Sequence, residues 1–212
     1  MKILALEFSS PRRSVALLAG GEVLGVAQDE RPAHGTPFSL IAALLKQTGT
    51  LAEQVGLLAV SVGPGSYTGI RAGISMVQGW SLSRPVAAVA FTTFEVLSHQ
   101  AARLPFSGPL NIVLDAQRNE FLVAEYVAGP SGLIVKTSCR LLPFAAVAAK
   151  AAAGEHLVGP GIRRWFAGAH DLSPAAETLG ELASGGTPLT SMRDLEPFYG
   201  RETNFVKNAP AQ

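Results

Sequence analysis

The order of predicted strands and helices in the first hundred residues is the sequence feature that most limits which fold this chain can adopt. Three apolar runs come first, and Gly20-Gly21, between the second and third, is typical of a hairpin turn because both glycines can adopt positive φ angles. The predicted elements are strands at Lys2–Phe8, Ser14–Ala19 and Glu22–Gln28, a helix at Pro37–Thr48, a strand at Gly56–Val62, a helix at Thr68–Ser83, a strand at Val86–Phe91, and a helix from Thr92 or Thr93 to Arg103. A meander followed by alternating helices and strands predicts a mixed sheet with helices on its faces.

A second set of elements follows a cluster of Pro and Gly at Leu104–Pro109, which marks a boundary. It consists of strands at Leu110–Asp115, Glu120–Ala128 and Leu133–Arg140, a helix at Pro143–Ala153, a strand at His156–Gly159 and a helix at Ala175–Ser184. The repeated order resembles the two-lobed actin-like and sugar-kinase-like fold, whose lobes are ribonuclease H-like. We therefore predict an α/β protein with an N-terminal lobe at residues 1–104 and a reduced C-terminal lobe at residues 105–212.

Charge and cysteine content exclude several classes of protein. The 17 Lys and Arg nearly cancel the 16 Asp and Glu, so there is no basic footprint for direct nucleic-acid binding. The single cysteine, Cys139, cannot form an internal disulfide, which fits a reducing compartment.

The sequence contains no apolar run of about 18 residues, so we predict no membrane span. The first residues form a strand pattern rather than a signal peptide. We expect a cytoplasmic protein.

The stretch Ser61–Gly79 is rich in glycine and lies between a predicted strand and helix. Its GxGxxxG spacing differs from the dinucleotide-binding GxGxxG motif, and it has no Walker lysine. Two interpretations stay open. The stretch is either a tight strand-to-helix turn, or a loop whose free N–H groups face a phosphate. The candidates for the phosphate-facing loop are Gly63, Gly65, Ser66 and Gly69.

Two predicted helices carry more apolar or small residues than a solvent-exposed helix needs. The first is apolar nearly all round, so it is either internal or has a second face that meets a partner. The second has small residues at three- and four-residue steps, including glycines that each cost about 1 kcal/mol relative to Ala. Together with the low charged fraction of 16%, this favours an interface. The predicted partner-binding residues are Phe38, Leu40, Ile41, Leu44, Leu45, Ala72, Gly73 and Met76.

Catalytic motifs are scarce in the sequence. The histidines, His34, His99, His156 and His170, are scattered and form no paired metal motif. Ser66 does not lie in a GxSxG motif. Glu7 and Asp115 either face each other across a cleft between the lobes or serve as structural hydrogen-bonding groups. We predict no catalytic residue and no metal site.

Four segments together resemble a known family: ILALEFSS, GPGSYTGIRAG, LDAQRNEFLVAEY and EPFYGR. They are similar to those of the bacterial TsaB (YeaZ) family. The resemblance implies a noncatalytic subunit of the machinery that makes threonylcarbamoyladenosine at position 37 of tRNAs reading ANN codons. Its fold would be similar to that of the catalytic TsaD subunit, without the metal-binding histidines of TsaD.

The resemblance also implies partners. The chain would pair with TsaD, the ATPase TsaE would join them, and tRNA would be met only through the complex. No cofactor of its own is expected, since ATP and metal belong to the partner subunits. Alone, the chain would cover its apolar face by forming a homodimer. The alternative is an ATP-dependent enzyme or a peptidase of the same superfamily. The sequence departs from the family pattern at Glu7, where Asp is usual, at RPAH before the first helix, and in its short second lobe.

Overall fold

The N-terminal sheet has five strands in the order β3-β2-β1-β4-β5. The structure, a computed structural model, describes residues 1–29, 37–129 and 132–200. The strands are β1 (Lys2–Glu7), β2 (Arg13–Ala19), β3 (Glu22–Asp29), β4 (Val55–Gly63) and β5 (Ala87–Thr92). The first three form the antiparallel meander, and β4 and β5 run parallel to β1. Gly20 and Gly21 both have positive φ in the predicted hairpin turn.

Helices cover both faces of this sheet. They are α1 (Pro37–Gln47), α2 (Tyr67–Ser83) and α3 (Thr93–Ala101). Helices α1 and α2 pack against one face through Leu44, Ile70, Ile74 and other buried apolar residues. Thr92 begins α3 with a capping box, in which its hydroxyl accepts from Glu95 N and Glu95 accepts from Thr92 N. The RPAH segment before the first helix, which includes His34, lies outside the described residues.

The second sheet has the order β10-β9-β6-β7-β8. Its elements are β6 (Pro109–Asp115), β7 (Glu120–Gly129), β8 (Gly132–Pro143), α4 (Phe144–Ala152), β9 (His156–Gly159) and β10 (His170–Asp171). An aromatic cluster joins Phe144, at the start of α4, to Phe121 on β7 and to Phe166. Strand β8 runs to Pro143, past the predicted end at Arg140, because its pairing with β7 continues to the start of α4. The predicted two-lobed α/β fold class is confirmed.

The last described part of the chain returns to the first sheet. Helix α5 (Ala176–Ser184) packs against β1 and β2 through Leu179 and its neighbours. Residues 187–200, which we call the C-terminal strap, then run along β5 and α2. The predicted division near residue 104 falls between the two sheets, but α5 and the strap lie with the first sheet. The division into domains stays a prediction. No described helix combines the length and apolar character that a membrane crossing requires.

Candidate functional site

The Gly-rich turn between β4 and α2 packs against the end of β1. A Cβ atom on Gly65 would overlap the Ser9 carbonyl oxygen, and one on Gly69 would overlap the Phe8 carbonyl oxygen. Ser66 N donates to Ser9 O over 2.7 Å, and the Ser66 hydroxyl caps α2 by accepting from Gly69 N. The glycines are therefore explained by close approach of this chain's own backbone. A phosphate contact by Gly63, Gly65, Ser66 and Gly69 stays a prediction.

A cleft of about 1100 Å³ separates the two sheets. Its walls carry Ser9, Arg12 and Ser66 on the first lobe, and Asp115 and Arg164 on the second. In the described residues there is no cluster of three or more His, Cys, Asp or Glu side chains that could hold a metal ion. The walls combine polar and apolar side chains, and the two acids that the sequence analysis singled out, Glu7 and Asp115, both form hydrogen bonds within this chain.

Glu7 is buried at the end of β1 and does not line the cleft. Its Oε1 accepts from Ser9 N at 2.7 Å and from the Ser9 hydroxyl at 2.5 Å, while Oε2 has no partner among the described residues. Burial raises the pKa of Glu7, against the opposing effect of the Ser9 hydrogen bonds. Of the two interpretations of this acid, the structural hydrogen-bonding group is the one observed.

Asp115 lies on the opposite wall and is tied to its own lobe. Its Oδ1 accepts from Gln117 N at 2.7 Å, and its Oδ2 accepts from Arg164 at 2.5 Å. The turn that follows is tight, since Gln117, Arg118 and Asn119 all have positive φ. The Asp115 carboxylate therefore stabilises the turn at Gln117 and orients the Arg164 side chain. Arg164 is 49 residues away in sequence, so no local motif announces this pair.

Replacing Glu7 by Gln is expected to stabilise the protein more strongly as the pH rises. A carboxyl group whose pKa is raised on folding costs no stability below its unfolded pKa. From about pH 4.5 upward, stability falls by about 1.4 kcal/mol per pH unit until the folded group also ionises. Glutamine keeps the acceptor for Ser9 and removes this loss. Thermal unfolding of both proteins from pH 4 to pH 9 measures the difference, and a difference that does not change with pH would contradict it.

Helix α1 places its predicted partner-binding residues in two environments. Phe38 is 70% exposed, whereas Ile41 and Leu44 are buried in the core of the first lobe. Leu40 and Leu45 are half-buried against the same core. The prediction that Ile41 and Leu44 meet a partner is corrected, because their side chains face β2 and β3 of this chain. The outward side of α1 is formed by Phe38, Ala42 and their neighbours.

Helix α2 is rotated differently from the orientation that its small residues predicted. Gly73 lies against Val60 and Phe8, on the buried side with Ile70 and Ile74. The prediction that Gly73 meets a partner is therefore corrected. Ala72 and Met76 are half-buried at the flank of the helix. The outward stripe consists of Arg71, Ser75, Gly79 and Leu82.

Gly79 is the glycine of α2 that this chain's own packing does not explain. A Cβ atom there would meet no atom of the described residues within 4 Å, and the φ angle of Gly79 is not positive. Leu82, three residues further on, is 89% exposed. Because α1 and α2 lie side by side on one face of the sheet, their outward sides adjoin. We call this surface the docking face, defined by Phe38, Ala42, Arg71, Ser75, Gly79 and Leu82.

Comparison with known proteins gives consistent matches. The family model described as TsaD, tRNA N6-adenosine threonylcarbamoyltransferase, matches residues 36–148, more than half of the chain. The tRNA threonylcarbamoyladenosine biosynthesis protein TsaB of Escherichia coli is 29% identical over 136 residues, which are 63% of this chain and 58% of that protein. The protein of the same name from Haemophilus influenzae is 28% identical over 60% of this chain and 54% of its own length. The chain thus spans little more than half of these relatives.

Solved structures extend the match to nearly the whole chain. YeaZ from Pseudomonas aeruginosa superposes with a TM-score of 0.75 at 26% identity, covering 93% of this chain and 99% of that one. A second Pseudomonas aeruginosa structure, of an uncharacterized protein similar to peptidase YeaZ, gives 0.78 at 26% identity over 94% and 99%. The relatives are named TsaB and the structural neighbours YeaZ, and the match of the family model over more than half of the chain shows that this chain belongs to the TsaD family.

Proposed function

We propose that this chain is a noncatalytic subunit in the synthesis of threonylcarbamoyladenosine in tRNA. It binds TsaD through the docking face and supports modification of adenosine 37 in tRNAs reading ANN codons, and TsaE joins the assembly. The observation that carries the proposal is Gly79, an outward glycine in the middle of α2 with open space around it. The relatives, which are named as tRNA threonylcarbamoyladenosine biosynthesis proteins, supply the pathway.

The case for a partner is energetic. A mid-helix glycine costs about 1 kcal/mol relative to Ala, and no contact among the described residues requires one at position 79. Close approach of a second helix would make a small residue necessary there. Phe38 on α1 and Leu82 on α2 add large exposed apolar side chains to the docking face, which a partner would bury. The same face would form the homodimer when TsaD is missing.

The case against catalysis by this chain rests on how its acids are used. Glu7 is buried and holds the Ser9 loop, so the Ser9 N–H group is occupied by this chain's own carboxyl group. Asp115 is bound to Arg164. Because Glu7 does not reach the cleft and the Asp115 carboxylate is paired with Arg164, neither is placed to act as a base or to hold a nucleotide-bound metal. We therefore propose that the chain has no cofactor of its own, that ATP and metal are held by the partner subunits, and that tRNA is met in the cytoplasm only through the complex.

Reconstitution tests this proposal. Purified TsaD and TsaE, supplied with a threonylcarbamoyl donor, ATP and tRNA, are expected to form the modified nucleoside only when this chain is added. The chain alone is expected to hydrolyse no ATP and no peptide. An ATPase or peptidase activity that co-elutes with the chain through repeated purification would favour the alternative enzyme. Full modification without the chain would contradict the role of an obligate partner.

A further inference from the structure

Arg71 stands at the N-terminal end of the docking face and is held by two tyrosines. The rings of Tyr67 and Tyr199 stack with their centroids 5.3 Å apart. The guanidinium carbon of Arg71 lies 4.3 Å from the Tyr67 ring centroid, within the range of a cation–π contact. Its Nε donates to the Tyr199 hydroxyl over 2.8 Å. The plane and the direction of the guanidinium group are therefore fixed before any partner binds.

Tyr199 is itself firmly placed, because the C-terminal strap is bound along its length. Thr190 N donates to Ala88 O over 2.7 Å at the edge of β5. Leu195 is buried in the core under α2, and Phe198 N donates to Val62 O over 2.8 Å. Residues 196–200 of the EPFYGR motif thus lie against the start of α2, and Tyr199 orients Arg71.

The outer end of the Arg71 side chain is open. Within residues 1–29, 37–129 and 132–200, its terminal amino groups make no hydrogen bond and no carboxylate lies within salt-bridge distance. Tyr67 is 56% exposed beside it. A guanidinium fixed at Nε and stacked on one face presents its two terminal amino groups as a rigid fork, which matches the geometry of a carboxylate.

We propose that Arg71 binds the carboxylate of an acidic side chain on the partner subunit. The inference rests on the proposed function and adds the chemistry of recognition at one end of the docking face. Arg71 shares the outward stripe of α2 with Ser75, Gly79 and Leu82, so a helix seated on that stripe brings its own side chains within reach. A protein carboxylate fits better than an RNA phosphate, since the net charge of +1 provides no basic field for RNA.

The test compares the affinity of full-length variants for purified TsaD by titration calorimetry. Arg71→Lys keeps the charge but loses the planar fork, and is expected to weaken binding about tenfold. Tyr199→Phe removes the hydroxyl that orients Nε and is expected to weaken binding several-fold. The matched control is Arg193→Lys, an exposed arginine on the strap outside the docking face, which is expected to bind like wild type.

The outcomes separate this inference from the proposal that it extends. If wild type binds TsaD and Gly79→Arg does not, but folded Arg71→Lys binds as tightly as wild type, the carboxylate contact is overturned and the docking face stands. If Arg71→Lys lowers only the melting temperature, Arg71 merely secures the strap, and the inference also fails. If the variant leaves TsaD affinity unchanged but weakens tRNA retention by the complex, the ligand is a phosphate. If wild type does not bind TsaD, both proposals fail.

Discussion

Replacing Gly69 by Ala is expected to lower the free energy of unfolding by about 3 kcal/mol, although alanine is the better helix former. The new Cβ atom would overlap the carbonyl oxygen of Phe8, which belongs to the backbone immediately after the central strand β1 and cannot rotate away. Either α2 moves off the sheet or the end of β1 bends, and both loosen the packing of Ile70 against the core. With a total stability of about 5–15 kcal/mol for typical domains, this is a severe loss.

The matched control is Gly79→Ala, in the same helix and with the same chemical change. Its Cβ atom meets open space, so the helix gains about 1 kcal/mol. Urea unfolding followed by circular dichroism and by the fluorescence of Trp80 and Trp165 measures both variants. Equal stabilities of the two variants would contradict the described orientation of α2, in which Gly69 packs against the backbone at Phe8 and Gly79 faces outward.

Much of the fold follows from local patterns in the sequence. Several elements can be predicted from their own residues alone. They are the hairpin turn at Gly20-Gly21, the start of α3 at its Thr92 cap, and the apolar strands β1, β4 and β6. The sequence also predicts the last helix, since α5 begins within one residue of its predicted start. The sequence does not predict where α5 packs. Its packing against β1 and β2 depends on residues about 160 positions away, as in the hydrogen bond from Ala176 N to the Ser14 hydroxyl.

The candidate site was harder to predict for the same physical reason. Successive residues of a helix are rotated by about 100°, so the side of α2 that carries Gly69 and Gly73 lies next to the side that carries Ile70 and Ile74. The position of the backbone at Phe8, just after β1, determines which side packs on the sheet. No local sequence pattern predicts that position. The Arg71–Tyr199 contact joins residues 128 positions apart. The sequence shows EPFYGR as a motif, but it does not show that the tyrosine of this motif contacts Arg71.

Replacing Gly79 by Arg is expected to weaken partner binding strongly while leaving the fold intact. The side chain would extend from the outward stripe of α2 into open space, and arginine is a good helix former, so the isolated chain gains stability. On the docking face it would separate two helices that pack at about 8–10 Å and place an unpaired charge between them. We expect affinity for TsaD to fall on the order of a hundredfold or more.

Titration of TsaD with wild type, Gly79→Ala and Gly79→Arg tests most directly whether this chain works as a partner subunit through α1 and α2. Circular dichroism and melting temperature confirm that each variant is folded. The account predicts tight binding by wild type, weaker binding by Gly79→Ala, and at least a hundredfold loss for Gly79→Arg with an unchanged or higher melting temperature. Wild-type affinity in folded Gly79→Arg would contradict it, because a partner seated on the docking face could not leave that side chain untouched.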